Sequence, residues 1–411
     1  MRSQHLALIA AATGSAVAQE YYSFTATATA SVAAAQATAK TSSPTSNVKG
    51  KAFDRIAIIW LENTDYDLAA GDPNLAWLAS KGITLENYFG QTHPSEPNYV
   101  ASHGGDYFGM DNDDLNFIDA NISTIVDLLE EKNISWGEYQ EDMPYSGFEG
   151  YDWLNQQTGA NDYVRKHNPA VIYNANSENA DRLSVIKNLT LFYEDLENET
   201  LPQWMFITPN MTSDGHDTSV TVAGAWTRNF LTPLLNDTRF MNNTLVLVTF
   251  DENSSYAIQN RVLAILLGDA IPAHLVGTTD ANFYNHYSDI ATVEANWDLN
   301  TLGRWDVGAN VFSLVANKTG DVVREWDEET FGPLDGRYYN QSYDGVFNDA
   351  PSYPVYPAPN LDIESPSGRT VSPAIKAKWA GSTNPDYYTS DIEVADGLNP
   401  PALYGNGGYA T

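Results

Sequence analysis

The sequence predicts an α/β fold with a doubly wound, mainly parallel sheet that carries helices on both faces. Residues 53–61 are a nearly continuous run of large apolar and β-branched side chains, which is typical of a strand buried on both faces of a parallel sheet. Similar runs recur along the chain and alternate with segments of helical apolar spacing. A length of 411 residues with 43% apolar residues suits a domain with a large buried core.

The remaining elements follow this first strand in order. Further strands are predicted over residues 83–88, 134–139, 204–208, 245–250 and 262–267. Helices are predicted over residues 74–79 and 123–129. Two more helices are predicted, one directly after Ser95 and one from His286 onward. Residues 51–320 are therefore expected to form the main domain. Beyond Gly320 the chain is rich in Pro, Tyr, Gly and Asp, so residues 321–411 are predicted to be a loop-rich C-terminal extension packed on that domain.

The N-terminus indicates a secreted protein. A basic start at Arg2, a short apolar run and small residues at 16–18 predict a signal peptide over residues 1–18. Residues 19–50 follow as an Ala/Thr/Ser-rich leader, which is expected to be flexible or O-glycosylated. No long apolar stretch or apolar tail predicts a membrane anchor. N-linked glycans are expected at the sequons of Asn121, Asn133, Asn188, Asn198, Asn210, Asn236, Asn242, Asn253, Asn317 and Asn340.

The charge of the chain limits its partners. Asp and Glu total 53 against 21 Lys and Arg, which gives a formal net charge of −32. Such a surface repels phosphate backbones and anionic lipid headgroups, so nucleic-acid binding by a basic patch is not expected. An anionic substrate would need a local cation, either a metal ion or a few placed basic groups. The chain has 0 Cys, which excludes disulfides, thiolate nucleophiles and thiolate metal ligands.

Polar and acidic residues follow three of the predicted strands. Glu62 and Asn63 end the first strand, and Asp251 and Glu252 end the strand over 245–250. The strand over 204–208 leads into a loop with an Asp and His216. Ligands of open α/β sheets bind outside the carboxyl ends of the strands, so these side chains are expected to converge. Carboxylates and imidazole suit a divalent cation, which predicts a metal site at this edge.

Ser95 lies beside this edge between Pro94 and Pro97. Pro97 fits the first turn of a helix, which places Ser95 at or near the helix N-terminus among free backbone N–H groups. The stretch alone leaves two interpretations open: a nucleophile in an anion site, or a serine that only caps a surface helix.

The motifs together resemble those of a known family. Glu62-Asn63, residues 93–99, residues 163–169, residues 213–217 and residues 249–252 occur in an order similar to that of the phosphoesterase family. This family belongs to the alkaline-phosphatase superfamily and holds fungal secreted phosphate-repressible acid phosphatases and bacterial phospholipases C. The resemblance covers roughly residues 53–317. It implies that residues 51–320 are a catalytic phosphoesterase domain.

The resemblance also implies a reaction and roles for residues. Ser95 would attack phosphorus and form a phosphoserine that water hydrolyses, with a divalent metal ion of unspecified identity assisting. The implied roles of the other residues are metal ligation by Glu62, Asp251 and Glu252, an amide hydrogen bond to phosphate from Asn63, and phosphate contact or protonation of the leaving group by His167 and His216. Relatives carry a paired Asp-Asp where this chain has Asp251-Glu252, which puts the ligand geometry in question.

Some roles and functions stay open at this point. Asp214 suits a metal ligand or a loop stabiliser, and His286 suits a helix cap, a supporting role or a catalytic one. His93 and His103 are expected to be structural. The predicted function is a secreted acid phosphatase acting on small phosphomonoesters; a phospholipase C-type phosphodiesterase and a non-catalytic cell-wall glycoprotein are the alternatives. The sequence shows no basic amphipathic helix for docking on lipid, which favours the phosphatase.

Overall fold

The computed structural model describes residues 28–326, 342, 345–348, 355–386 and 388. Eight strands in this part of the chain form one sheet in the order β10-β2-β9-β8-β1-β7-β3-β6, and β4 pairs with β5 separately. Within that large sheet of described residues, only β9 runs antiparallel to its neighbours, which confirms the mainly parallel α/β fold. The strands are β1 Arg55–Leu61, β2 Ile83–Phe89, β3 Trp136–Gln140, β4 Asp152–Leu154, β5 Asn161–Val164, β6 Ile186–Asn188, β7 Trp204–Thr208, β8 Thr244–Phe250, β9 Arg261–Leu267 and β10 Thr278–Asn285.

The helices vary from single turns to four turns. In the described ranges, none combines the length and the apolar character that a membrane crossing requires. The α-helices are α1 Thr29–Gln36, α2 Tyr66–Gly71, α3 Pro73–Ala79, α4 Ser95–Gly104, α5 Ile125–Glu131, α6 Pro169–Ile172, α7 Asn174–Ser177, α8 Ala180–Leu183, α9 Thr190–Glu197, α10 Val220–Leu234, α11 Thr238–Met241, α12 His286–Trp297, α13 Trp305–Gly308, α14 Ser313–Thr319 and α15 Pro373–Trp379. Two short 3-10 helices span Arg165–His167 and Ala273–Leu275.

Strand β1 lies near the middle of the sheet, between β8 and β7. Every residue from Ile56 to Leu61 is buried, so both faces of the strand are covered, as its apolar sequence predicts. On one face the ring of Trp60 contacts Tyr99 of α4 and His286 of α12, and these two helices pack on each other. Because β1, β7 and β8 are parallel, their carboxyl ends meet at one edge.

Helix α4 begins at Ser95 and is completely buried. Pro94 is its N-cap residue, and Pro97 lies in the first turn, where its missing N–H breaks no helical hydrogen bond. The helix ends at Gly104, and Gly105 follows as its C-cap residue with a φ of 70°, the left-handed conformation that glycine adopts without strain. The predicted helix after Ser95 is therefore present.

Several regular elements lack a counterpart in the predictions, and β6, β10 and α10 are three of them. β6 has three residues, which is too short to show an apolar pattern. β10 is polar in sequence and lies at an edge of the sheet, and half-buried and exposed residues alternate along its first half. α10 contains Pro233 in its last turn, which argues against a helix in the sequence. Its buried residues Ala223, Thr227 and Leu231 nevertheless recur at helical spacing, so the helix could have been recognised.

Within the described part of the leader, residues 42–48 are attached to the domain, which a flexible segment would not be. Ser46 donates a hydrogen bond to Gln203 Oε1 at 2.6 Å, and the backbone N–H of Val48 donates to the same oxygen at 2.8 Å. The backbone N–H of Ser42 donates to the carbonyl oxygen of Ser184 at 3.0 Å. Backbone groups and short hydroxyls thus attach residues 42–48 to the domain, although few large apolar side chains are available. The predicted signal peptide lies outside the described residues.

The described part of the C-terminal extension contacts the domain through its backbone. The backbone N–H of Thr301 donates to the carbonyl oxygen of Thr370 at 3.0 Å, and the backbone N–H of Ser372 donates to the carbonyl oxygen of Thr301 at 3.0 Å. Arg304 donates to the carbonyl oxygen of Pro357 at 3.1 Å. These contacts place α15 against the main body of the protein.

One predicted glycan site does not suit the folded chain. Asn253 is fully buried, and its side-chain amide donates to the carbonyl oxygens of Ser255 and Gln259 at 3.1 and 3.2 Å. An amide held in this way is inaccessible to a glycan, so the expectation for Asn253 is wrong in this structure. Asn340 lies outside the described residues. The other predicted sequon asparagines are exposed or half-buried.

Candidate active site

The strand ends bring the predicted acidic residues together. Glu62 directly follows β1, and Asp251 directly follows β8. The backbone N–H of Glu62 donates to the carbonyl oxygen of Asp214, and the N–H of Asp251 donates to that of Leu61, both at 3.0 Å. Asn63 adopts a left-handed φ of 50° and donates its backbone N–H to Asp251 Oδ1 at 3.2 Å. Sheet hydrogen bonding thus continues past the strands and fixes where these carboxylates lie.

Ser95 lies directly against this cluster. Its hydroxyl donates to Glu62 Oε2 at 3.0 Å, and its side chain is almost completely buried. The phenol of Tyr99, one helical turn further along α4, donates to the other oxygen of Glu62 at 2.5 Å. A serine that only caps a surface helix would be exposed, whereas Ser95 contacts a buried carboxylate at the sheet edge. This position favours the nucleophile interpretation over the capping one.

The two predicted histidines approach the cluster from different loops. His167 ends the 3-10 turn Arg165–His167; its Nε2 lies 3.4 Å from Glu62 Oε1, and its Nδ1 lies 3.5 Å from Asp214 Oδ2. His216 lies on the loop after β7, where its Nδ1 is 2.8 Å from Asp217 Oδ1. Glu62, His167 and His216 each present one ligand atom, and these three atoms lie within 4.8 Å of one another.

The acidic groups of the cluster hold protons unusually well. Burial raises the pKa of Glu62 well above its ordinary value, and the charges of Asp251 and Asp214 raise it further. Burial likewise raises the pKa of Glu252 and of Asp214, and the charge of Asp251 adds to both shifts. The pKa of Asp251 is raised to about 6 by burial, against the opposing effect of hydrogen bonds from Glu62 and Ser95. Four neighbouring carboxylates without a cation would repel one another strongly.

The cluster has the properties of a site for a divalent cation. Asp214 Oδ2, Asp251 Oδ2 and His167 Nε2 are buried and have no hydrogen-bond partner among the described residues. Buried polar atoms of this kind are normally satisfied, and carboxylate oxygen with imidazole nitrogen is a ligand set for divalent metals. The donor chemistry therefore fits a metal ion. The predicted metal ligands are Glu62, Asp251 and Glu252. Of these, Glu62 also belongs to the group formed with His167 and His216, whose ligand atoms lie close together.

Comparison with known proteins now identifies the family. The profile of the phosphoesterase family matches residues 69–300. An acid phosphatase of Aspergillus fumigatus is 51% identical over 352 residues, which cover 84% of this chain and 76% of that protein. A phosphate-repressible acid phosphatase of Penicillium chrysogenum is 50% identical over 370 residues, which cover 89% of this chain and 88% of that protein. The chain belongs to the phosphoesterase family.

This membership confirms the resemblance, and with relatives of such identity the protein is a hydrolase of phosphoric ester bonds. The chain is also similar in structure to a protein of the alkaline phosphatase superfamily from Vibrio parahaemolyticus. That match has a TM-score of 0.39 and 12% identity, and it covers 62% of this chain and 67% of the other. At this level of similarity it adds nothing about the site of the phosphoesterase.

The pKa values of the two histidines differ from expectation. The sequence, with its many carboxylates, predicts raised values. Burial instead lowers the pKa of His167 well below its ordinary value, and the charges of Lys166 and His216 lower it further. Burial and then Lys166 lower the pKa of His216, although Asp217 opposes this. Removal from water and a neighbouring ammonium group thus outweigh the acidic surface, which the composition could not show.

Two further residues, Lys166 and Tyr99, contact the cluster, and the sequence alone indicates no role for either of them. Lys166 places its ammonium group 2.7 Å from Asp113 Oδ2 and 3.4 Å from His216 Nε2. Tyr99 donates to Glu62, as described above. Both belong to the motifs of the family, so their neighbourhood is visible in the sequence. Their contacts depend on Asp113 and Glu62, which are distant along the chain, so only the fold could show them.

The remaining residues of interest have supporting positions. His93 Nδ1 lies 2.7 Å from Glu252 Oε2, and His103 Nε2 lies 2.9 Å from Glu138 Oε1, both fully buried. His286 caps nothing itself, since Asn285 caps α12, but its Nε2 lies 2.6 Å from the carbonyl oxygen of Asp251. His286 therefore contacts the backbone of the cluster from behind.

Proposed function

We propose that the protein is a secreted acid phosphatase that hydrolyses small phosphomonoesters through a phosphoserine intermediate on Ser95. The observation that carries this proposal is the 3.0 Å hydrogen bond from Ser95 to Glu62 inside a buried carboxylate cluster. Together with the acid phosphatase relatives at about half identity, it supports Ser95 as the nucleophile of this phosphoesterase. The secreted location rests on the predicted signal peptide.

The metal ion belongs to the proposal as well. Glu62, Asp251 and Glu252 would hold a divalent cation, and His167 and His216 offer further donors beside Glu62. When bound, such a cation favours the ionised form of the serine hydroxyl and offsets negative charge on the transferring phosphoryl group. Raised carboxyl pKa values and unpartnered buried oxygens support this assignment.

Each step of the proposed reaction is assigned to residues of this chain. The hydroxyl of Ser95 releases its proton toward Glu62 Oε2 and attacks phosphorus in line, so that the bond to the leaving oxygen breaks and phosphoserine forms. Asn63 donates its side-chain amide to a non-bridging phosphate oxygen. His216 and His167 contact the phosphate or protonate the leaving oxygen; because the pKa of both is lowered, the imidazolium form that protonation requires is favoured by an acidic medium. Water then attacks phosphorus of the phosphoserine, and the bond from phosphorus to the Ser95 oxygen breaks. That oxygen takes back the proton from Glu62, and inorganic phosphate is released.

The intermediate provides the decisive experiment. Wild-type protein is mixed with an excess of an aryl phosphomonoester, quenched in acid and digested, and the peptide that contains Ser95 is examined by mass spectrometry. A phosphate on Ser95, absent from Ser95→Ala, is the expected result. Ser95→Ala should keep the wild-type melting temperature and lose at least about a thousandfold in kcat. Near-normal turnover by a folded Ser95→Ala protein would remove Ser95 as the nucleophile.

The substrate class is tested in parallel. Rates on a phosphomonoester and on a phosphodiester with the same leaving group are compared before and after treatment with a chelator. The proposal expects faster turnover of the monoester and loss of both rates on chelation, with recovery when a divalent metal is added back. A preference for the diester would favour the phospholipase C-type alternative, and unaffected rates in the metal-free protein would refute metal assistance.

A further inference from the structure

Lys166 is a cation at the edge of an acidic site. It lies in the 3-10 turn Arg165–His167, directly before His167. Its ammonium group is held by Asp113 at 2.7 Å, and 14% of its side chain remains exposed, so the group lies at the border between the cluster and solvent. Asp113 is fixed in turn, because its Oδ1 accepts the backbone N–H of Glu96 at 2.9 Å.

The charge of Lys166 acts on the acidic cluster as a whole. It lowers the pKa of Glu62, Asp214 and Glu252, against the larger raising effect of burial on each. The neighbouring Arg165 does not share this task, since its guanidinium donates to the carbonyl oxygens of Asn116 and Val171. Lys166 is therefore the basic side chain that the fold directs at the cluster, within the ranges that the structure describes.

The ammonium group has hydrogen-bonding capacity to spare. It carries three N–H donors. Asp113 accepts one of them, and His216 Nε2 at 3.4 Å is a weak partner for a second. Among the described residues the third donor has no partner. A phosphate oxygen at this border could therefore be bound without breaking the contact to Asp113.

We propose that Lys166 binds a non-bridging oxygen of the substrate phosphate and thereby selects phosphomonoesters over phosphodiesters. This inference rests on the proposed function of the site. A monoester has three non-bridging oxygens and carries up to two negative charges, because its second pKa is about 6. A diester has two such oxygens and one charge. Lys166 can bind the additional oxygen of the monoester and offset its additional charge, in addition to the interactions that the metal ligands and Asn63 provide.

Lys166 acts in this proposal as a fixed charge. Its pKa is raised: burial lowers it, but the charges of Asp113 and Glu62, the hydrogen bond to Asp113 and the charge of Asp251 raise it by more. The ammonium group therefore keeps its proton and binds without transferring it. The charged and titratable groups that face it are Asp113, Glu62, Asp251, Glu96, Asp214, Glu252, His167, His216, Tyr151 and Tyr256.

The test compares two substrates in two variants of Lys166 and in one control variant. Lys166→Met should lower kcat/KM for the phosphomonoester by about 10- to 150-fold, the range of a hydrogen bond to a charged group. The rate on a phosphodiester with the same leaving group should fall far less, so the ratio of the two kcat/KM values should drop. Lys166→Arg keeps the charge and should recover a large part of the monoester rate. Lys132→Met changes the net charge equally at an exposed position and serves as the matched control.

Binding of the product gives a readout that does not depend on turnover. The dissociation constant of inorganic phosphate, measured by calorimetry, should rise in Lys166→Met and stay unchanged in Lys132→Met. Equal losses on both substrates, or unchanged phosphate affinity in a folded variant, would overturn the role of Lys166. Failure of the wild-type protein to hydrolyse the monoester would instead overturn the proposed function, so the two failures are distinguishable. If Lys166→Met does not fold, the ratio in Lys166→Arg and in Lys166→Gln decides.

Discussion

Tyr99 offers a sharp test of how the fold supports the cluster. Its phenol donates to Glu62 Oε1 at 2.5 Å, while its ring packs between Trp60, Phe206 and His167. Burial first, and then the charges of Glu62 and Asp251, raise the pKa of Tyr99 well above its ordinary value, so it remains a donor at every working pH. Tyr99→Phe removes one oxygen atom and keeps the ring.

The size of the effect follows from the nature of the lost contact. A hydrogen bond to a charged group contributes about 1.5–3 kcal/mol, which corresponds to about 10- to 150-fold in an equilibrium or rate. Groups that hold a metal ligand in place cost about 10- to 100-fold in metal affinity or activity when they are removed. Tyr99→Phe is therefore expected to lower the metal affinity, kcat/KM or both within this range, because Glu62 loses the bond that orients it.

The assay needs a control on the same helix. Tyr173 donates its phenol to the carbonyl oxygen of Val100 in α4 at 2.7 Å, so Tyr173→Phe removes a comparable buried bond without touching Glu62. Metal affinity is measured by competition with a chelator, kcat/KM on an aryl phosphomonoester, and the melting temperature by differential scanning fluorimetry. If the two variants lose the same metal affinity and the same kcat/KM, Tyr99 contributes only packing and the reasoning about Glu62 fails.

Three further predictions concern the metal, the packing of α12 and the pH dependence of stability. Asp251→Asn should lower the metal content found by elemental analysis, and unchanged content would assign Asp251 a structural role. Asn296→Ala should lower the free energy of unfolding by about 3 kcal/mol or more in urea melts, because the buried amide makes three hydrogen bonds to Ala52 and Phe53; a loss below about 1 kcal/mol would contradict this. The pKa of Glu294 is raised by burial and then by Asp306, so the folded state binds the proton more tightly and stability falls as pH rises above the ordinary value of 4.5 toward the raised one. Glu294→Gln should reduce this slope by up to about 1.4 kcal/mol per pH unit in urea melts between pH 5 and 7, and an unchanged slope would assign the proton elsewhere.

The strands could be predicted where a local pattern determines them. The apolar runs of β1, β8 and β9 indicate their positions, but nothing in them shows that β9 is antiparallel, since direction depends on the partners. β10 pairs in parallel with β2 although its sequence is polar. Its last residues are buried by neighbours such as Phe312, which contacts Tyr284, and such tertiary burial leaves no periodic signal.

The sequence predicts which residues form the site, but it predicts their arrangement only in part. Residues at strand ends are fixed by the sheet, so the sequence alone was enough to place Glu62 and Asp251 beside Ser95. The histidine environment could not be placed in this way. The pKa of His216 depends on burial and on Lys166, whose position depends on Asp113 from a loop about fifty residues earlier in the chain.

The raised pKa values of the cluster connect metal binding with folding. Burying Glu62, Asp214, Asp251 and Glu252 together favours their protonated forms, so at neutral pH the folded state either keeps protons there or bears their mutual repulsion. A divalent cation would displace those protons and replace repulsion by attraction, and its binding would stabilise only the folded chain. Metal affinity should therefore decrease as the medium becomes acidic, since protons compete for the same oxygens. A phosphatase of the proposed kind would need buried ligands and a pre-formed cluster to hold a metal ion in acid, and hydrogen bonds such as the one from Tyr99 to Glu62 supply that preorganisation.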